Sequence, residues 1–286
     1  MQLEQGVAKL IEEAVVELDR TDLFRAPLVA FSDAHDEQYG ALKTIVGDWV
    51  KLPTDFLPSA QTVVSYFVPF TRELAAAPRL SESVSAKWGE AYLVVNDFFA
   101  ATNERICAYL QEQGFEAAAV PATHTYNPVD MKSAWSHRSA AAIANLGFFA
   151  ANRMLVTQKG SAGRFCTVFT SARIETRLEE PENRCLHLIK GSCSRCFDIC
   201  PVGALRPDDF DRFACQDVLF KNMDEINAKT GREEADVCGR CISVCQLAYF
   251  EEKANRGRGI PRFISCDICH DGVMQTGRRT HLRPVC

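Results

Sequence analysis

The feature that most constrains this chain is a cysteine pattern that occurs twice: Cys193-Ser-Arg-Cys196-Phe-Asp-Ile-Cys200 and Cys238-Gly-Arg-Cys241-Ile-Ser-Val-Cys245. Both copies read C-x2-C-x3-C. Two thiolates separated by two residues reach one small metal centre together. The third lies about one helical turn further on and faces away from the first pair. Thiolates are soft donors that suit iron–sulfur centres. Of the 13 cysteines, only Cys107 and Cys166 precede residue 180. In a reducing compartment such a concentration marks metal ligands rather than disulfides.

In two-cluster ferredoxins the last cysteine of each run, followed by Pro, serves the other cluster. Applied here, one [4Fe–4S] cluster takes Cys193, Cys196 and Cys245, and a second takes Cys238, Cys241 and Cys200, which Pro201 follows. Each needs a fourth ligand. Cys215, between the copies, is the candidate for the second cluster. The first is irregular, because Lys190 stands where its fourth cysteine is expected. Cys185, eight residues before Cys193, substitutes if the chain loops back. Two readings stay open beside this one. A cluster with three protein thiolates has an open iron, and a pair of zinc sites uses four cysteines but leaves Cys200, Cys245 and Pro201 without a role.

Bulk properties narrow the class. The net charge of -5 disfavours a general nucleic-acid or membrane-surface binder, and 47% hydrophobic residues suffice for a packed core. The first 20 residues carry acids through their apolar stretch, unlike a secretory signal. No run of about 18 apolar residues is present, so no membrane span and a cytoplasmic protein are expected. Helical spacing predicts a helix over residues 3–19, and residues 88–113 predict a long helix closed by Gly114. Residues 61–70 read as a buried strand, with further strands at 115–121, 153–158 and 164–171 and a short helix at 138–145. Residues 26–60 read as irregular. Strands and helices mingle to about residue 180, where an acidic, proline-containing stretch marks a boundary. Short helical pieces and charged loops follow. The expected organisation is therefore an α+β chain with domains at 1–180 and 181–250 and a basic, cysteine-containing tail at 251–286.

Three stretches resemble the epoxyqueuosine reductase family, whose core is shared with reductive dehalogenases: the double cysteine motif with Pro201-Val-Gly-Ala-Leu, the strand QTVVSYFVPF, and His137 through Val156, HRSAAAIANLGFFAANRMLV. The resemblance implies a nitroreductase-like α/β domain that holds cobalamin, followed by a ferredoxin-like domain with two [4Fe–4S] clusters. It implies an iron–sulfur oxidoreductase passing electrons to cobalamin for a reductive reaction. An external ferredoxin- or flavodoxin-type donor and an RNA or corrinoid-protein substrate go with it. Arg138, Gly147 and Asn152 fall in the matched segment and are the implied cofactor contacts. The family's proton-donating Asp has Met131 at its position here, so Asp130, with Tyr126 and His137, forms the candidate catalytic set. The other readings are an electron carrier and a corrinoid-reactivating partner without substrate chemistry of its own.

The bland readings sit beside these. The segment His124–Arg138 also suits a polar surface loop with Asp130 as a helix cap. Lys159–Arg164 reads as a hairpin more readily than as an anion site. Cys266, Cys269, His281 and Cys286 suit either a small metal site or free thiols in a solvated basic tail.

Overall fold

The computed structural model describes residues 2–123, 126–127, 129–175, 178–231 and 233–251. In chain order its elements are α1 (Leu3–Glu17), β1 (Leu28–Asp33), α2 (Glu37–Ile45), α3 (Pro53–Phe56), β2 (Thr62–Pro69), α4 (Arg72–Leu80), α5 (Ala86–Glu112), β3 (Ala117–Ala119), β4 (Tyr126–Asn127), β5 (Lys132–Ser133), α6 (His137–Ile143), β6 (Gly147–Phe149), β7 (Leu155–Thr157), β8 (Gly163–Thr170), α7 (Leu186–Lys190), α8 (Arg195–Asp198), α9 (Arg212–Thr230) and α10 (Arg240–Ser243). No helix among the described residues is long and apolar enough to cross a membrane.

Every residue of β2 is buried, as its β-branched and aromatic sequence predicts for a strand covered on both faces. It lies inside an antiparallel sheet of order β1-β2-β8-β3. The alternation of side chains divides the core. Val64, Tyr66 and Val68 pack with Cys166, Val168 and the α1 and α5 side chains. Val63, Phe67, Phe165 and Phe169 face the α2 and α6 side. Gly163 is required where β8 crosses β2, because a Cβ there would lie 2.4 Å from the Val68 carbonyl.

Several elements differ from the expected ones. β1, α2 and α3 occupy residues that read as irregular. Alternate burial along Leu28–Asp33 is clear in space but is obscured in sequence by the surrounding Pro, Asp and Gly. The 19-residue α9 replaces the expected short pieces. Only Ile226 on α9 is buried, so the helix carries almost no apolar periodicity.

The cysteine-bearing part shares its core with the sheet. Ile226, Ala235, Val237 and Ala248 belong to the same buried cluster as Val64, Phe70 and Trp88. Arg240 Nη2 donates to the carbonyls of Ser81, Glu82 and Ser83, and Arg79 Nη1 donates to the Ser243 carbonyl at 2.7 Å. The Lys159–Arg164 segment docks this part as well. The Ser161 and Ala162 N–H groups donate to the carbonyls of Leu247 and Ala248 at 3.0 and 2.9 Å. His124 and residues 252–286, with Cys266, Cys269, His281 and Cys286, lie outside the described residues.

Candidate metal centres and cleft

The ten described cysteines are all free thiols. Eight of them gather into two groups. In the first, burial foremost and then the neighbouring Cys245, Cys185 and Cys193 push the Cys196 thiol up to about 12. Cys245 is raised by burial and feels Cys185 and Cys193. In the second, burial and then Cys238, Cys215, Cys196 and Cys200 push Cys241 up to about 12. Cys215 rises to about 11 through burial, then Cys238 and Cys200. The chain thus brings Cys185 beside Cys193, Cys196 and Cys245, and Cys215 beside Cys200, Cys238 and Cys241. Cys196 and Cys241 connect the two groups. No three His, Cys, Asp or Glu side chains among the described residues converge closely enough to hold a single metal ion.

Cys185 reaches its group by a defined route. It caps α7, and the left-handed Gly191 (φ 64°) then turns the chain back toward Cys193. His187 Nδ1 bonds to the Cys193 carbonyl at 2.9 Å. Two backbone N–H groups point at sulfur: Ala151 toward Cys185 Sγ and Leu247 toward Cys245 Sγ, each at 3.4 Å. N–H···S contacts are a means by which proteins tune iron–sulfur potentials.

Asn152 belongs to this neighbourhood. It is 3% exposed, lines the hollow beside the first group and donates from Nδ2 to the Cys241 carbonyl at 3.0 Å, while its Oδ1 accepts from the Met154 N–H. Gly147 lies in the β6–β7 pair, where a Cβ would meet the Val156 carbonyl at 2.5 Å. Neither residue lines the large cleft.

That cleft has a volume of about 470 Å³ and lies between the sheet layer and the cysteine-bearing part. Its walls include all three tryptophans, Trp49, Trp88 and Trp135, the cations Lys132, Arg138, Arg164 and Arg212, and Cys238 of the second thiol group. Gly239, at φ 74°, lets the chain press against Trp88, whose Cε2 would lie 2.6 Å from an added Cβ. Arg138 Nη1 donates to the Arg153 carbonyl at 3.0 Å. Arg164 lies over the Tyr92 ring, 4.4 Å from its centroid.

The catalytic candidates separate. Tyr126 lines the cleft, and its hydroxyl accepts from Gln216 Nε2 at 3.1 Å. Asp130 does not line it and pairs with Lys132 at 3.2 Å. Met131 does line it, held at φ 56° in the turn between β4 and β5. His137 also lines the cleft, but both ring nitrogens are engaged. Nε2 meets the Pro121 carbonyl at 3.2 Å, so it carries the proton, and Nδ1 accepts from Thr167 Oγ1 at 2.8 Å. Trp135 Nε1 donates to the same hydroxyl at 2.9 Å. Burial holds the His137 pKa down to about 4.

In the sequence Arg212 stands out by no motif, Arg164 only closes the Lys159–Arg164 loop, and no side-chain role attaches to Ser161 or Asp236. The last two carry buried side-chain oxygens with no hydrogen-bond partner among the described residues, and both line the cleft. The available signal for Asp236 was an acid two residues ahead of a cysteine motif. Ser161 had none.

No family model matches the chain. Over 215 residues it is 26% identical to the epoxyqueuosine reductase of Bacillus subtilis (strain 168). The chain resembles epoxyqueuosine reductase. The match covers 68% of this chain, which spans about half (49%) of that relative's length. Two solved structures share the fold. One is an epoxyqueuosine reductase with an epoxyqueuosine-modified tRNA-Tyr stem loop, at TM-score 0.51 and 20% identity, over 86% of this chain and 68% of that one. The other is a reductive dehalogenase described with a mechanism for B12-dependent dehalogenation, at TM-score 0.50 and 15% identity, over 76% and 29%.

Proposed function

We propose that this chain is an oxidoreductase of the epoxyqueuosine reductase type, with a nitroreductase-like layer holding a corrinoid and a ferredoxin-like part holding two [4Fe–4S] clusters. The observation that carries the reading is the joint placement of the thiols and the cleft. Two groups of four free cysteines adjoin each other, and Cys238 of one of them forms part of the cleft wall.

The residues fit these groups. Burial and neighbouring thiols raise the pKa values of Cys196 and Cys245 in one group and of Cys215, Cys238 and Cys241 in the other, and a coordinating metal deprotonates thiols so placed. The cleft falls in the size range of ligand clefts. It combines aromatic walls with orphaned oxygens on Ser161 and Asp236 that suit the amide N–H groups at a corrin's rim. When bound, the clusters supply single electrons and the corrinoid supplies a reducing cobalt. Cys238, Cys241, Cys200 and Cys215 would hold the cluster nearer the cleft. Cys185, Cys193, Cys196 and Cys245 would hold the farther one.

The chain's own part is to orient, to exclude water and to deliver a proton. Tyr126 is the proposed proton donor, because it lines the cleft and its hydroxyl keeps its own hydrogen while accepting from Gln216. Asp130 acts through Lys132, whose Nζ sits 4.4 Å from the Trp49 ring centroid. His137 positions the cleft wall. An RNA carrying a modified base is the proposed substrate class, by likeness to the relative solved with a tRNA stem loop.

Anaerobic reconstitution tests the reading. Two [4Fe–4S] clusters correspond to about eight irons and eight sulfides per chain. Titration with cobalamin should then quench the fluorescence of the tryptophans lining the cleft. Iron near one or two atoms per chain, or no corrinoid binding by the loaded protein, refutes it. Turnover of epoxyqueuosine-containing RNA decides the substrate.

A further inference from the structure

Helix α7, which follows directly on Cys185 of the first thiol group, bears two exposed aliphatic side chains, Leu188 at 45% and Ile189 at 53% exposure. No side chain of α7 is buried, although the helix begins directly after the buried Cys185. The patch is nevertheless held rigidly. The Ile189 N–H donates to the Cys185 carbonyl at 3.0 Å, His187 bonds to the Cys193 carbonyl, and the His187 and Phe197 rings meet edge to face at 4.9 Å.

Charge sets this patch apart. Residues 184–197 carry Arg184, Lys190 and Arg195 and no acid, within a chain of net charge -5. An acidic run ends just before, at Glu182, and Asp198 just after is bonded to Ser194 Oγ at 2.6 Å. Lys190 and Arg195 are both exposed. Lys190 is also the residue that replaces the expected fourth cysteine. Moving that ligand to Cys185 leaves a surface cation where a buried thiolate would otherwise be.

We propose that Leu188, Ile189, Lys190 and Arg195 form the docking surface for a small acidic one-electron carrier protein. The proposal rests on the cluster reading above. A small aliphatic centre flanked by cations suits a transient encounter of less than about 1,200 Å². Complementary charge steers an acidic partner and makes association salt-dependent. RNA is also acidic, but this patch exposes no aromatic ring for base stacking. Arg195 of the patch also lines the hollow beside the first thiol group, whose cysteines are absent from the cleft wall. The redox step balances without atom transfer. One electron leaves the carrier's reduced flavin anion, which becomes the neutral radical, and one cluster gains it.

The test uses the iron-loaded full chain and a reduced flavodoxin as the probe. Affinity for the flavodoxin and the rate of cluster bleaching are measured at low and high salt. The wild type is compared with Lys190→Glu/Arg195→Glu and with Leu188→Gln/Ile189→Gln. The charge-reversal variant should slow reduction at least tenfold at low salt, with the gap closing at high salt. The glutamine variant should weaken binding several-fold at both salts. Both should keep the wild-type iron content and the wild-type absorbance change with dithionite. Fully loaded variants that match the wild type, or a wild type that does not bind flavodoxin, overturn the docking surface and leave the clusters standing. So does loss of affinity for an RNA stem loop in place of the flavodoxin. A wild type that takes up no iron removes the cluster reading itself, before any donor is added.

Discussion

Lowering the pH should expose His137 as a structural histidine. Its folded pKa lies near 4, against an ordinary value of 6.5, because burial leaves a charged ring desolvated and the Arg164 cation opposes it, outweighing the Pro121 carbonyl. The unfolded chain therefore binds a proton that the folded chain refuses. Stability is lost as pH falls from about 6.5 toward 4, and no further loss follows below that window. The shift corresponds to at most about 3 kcal/mol, and nearer 2 because part of the ring meets solvent. Urea unfolding of wild type and His137→Gln, each at pH 8, 6, 5 and 4, isolates the effect. The variant should be less stable at pH 8, and the difference should shrink by about 2 kcal/mol at pH 4. A gap that is constant with pH, or a ring that titrates near 6.5 by NMR, refutes the reasoning. It would restore His137 as a proton carrier.

Cys185→Ala should lower iron by about four atoms per chain while Cys193 and Cys196 remain, read by metal analysis and EPR; unchanged iron content removes Cys185 from the ligand set. Gly239→Ala places a Cβ against Trp88 at positive φ and should cost about 1–3 kcal/mol, seen as a lower Tm together with loss of the second cluster. Tyr126→Phe should reduce turnover by about a hundredfold or more and leave corrinoid affinity within a factor of about two, measured by steady-state kinetics and fluorescence titration. Asn152→Ala strands the Cys241 carbonyl and should destabilise the loaded protein by about 1–3 kcal/mol, measured by denaturant unfolding.

The thiol groups were legible because ligand spacing is local chemistry. C-x2-C-x3-C assigns partners before any fold is known, and even the displaced Cys185 followed from counting back from Cys193. β2 and α5 were legible because one is apolar throughout and the other carries a buried stripe and a glycine stop. The cleft was not, because its walls come from distant stretches: Trp49, Trp88, Arg164 and Asp236 converge only once the sheet and α9 are packed. Asn152 was named as a cofactor contact from the matched segment alone; only the fold shows that its amide joins that segment to the backbone of Cys241, beside the hollow of the first thiol group. Asp130 was attractive as an acid near an expected acid; it pairs with Lys132, which lines the cleft, and does not line it itself.

The shared core also imposes an order on assembly. One wall of the cleft, from Arg212 to Ile242, is synthesised only after the last sheet strand has ended at Thr170, and Ala248 closes the same buried cluster as Val64. A ribosome that has released the sheet has made a half-vessel. The vessel is completed only when the segment bearing Cys238 and Cys241 folds against it. On the proposed function, whatever the cleft receives would arrive with the metal or after it, and a cell short of iron would accumulate a chain unable to hold its second cofactor.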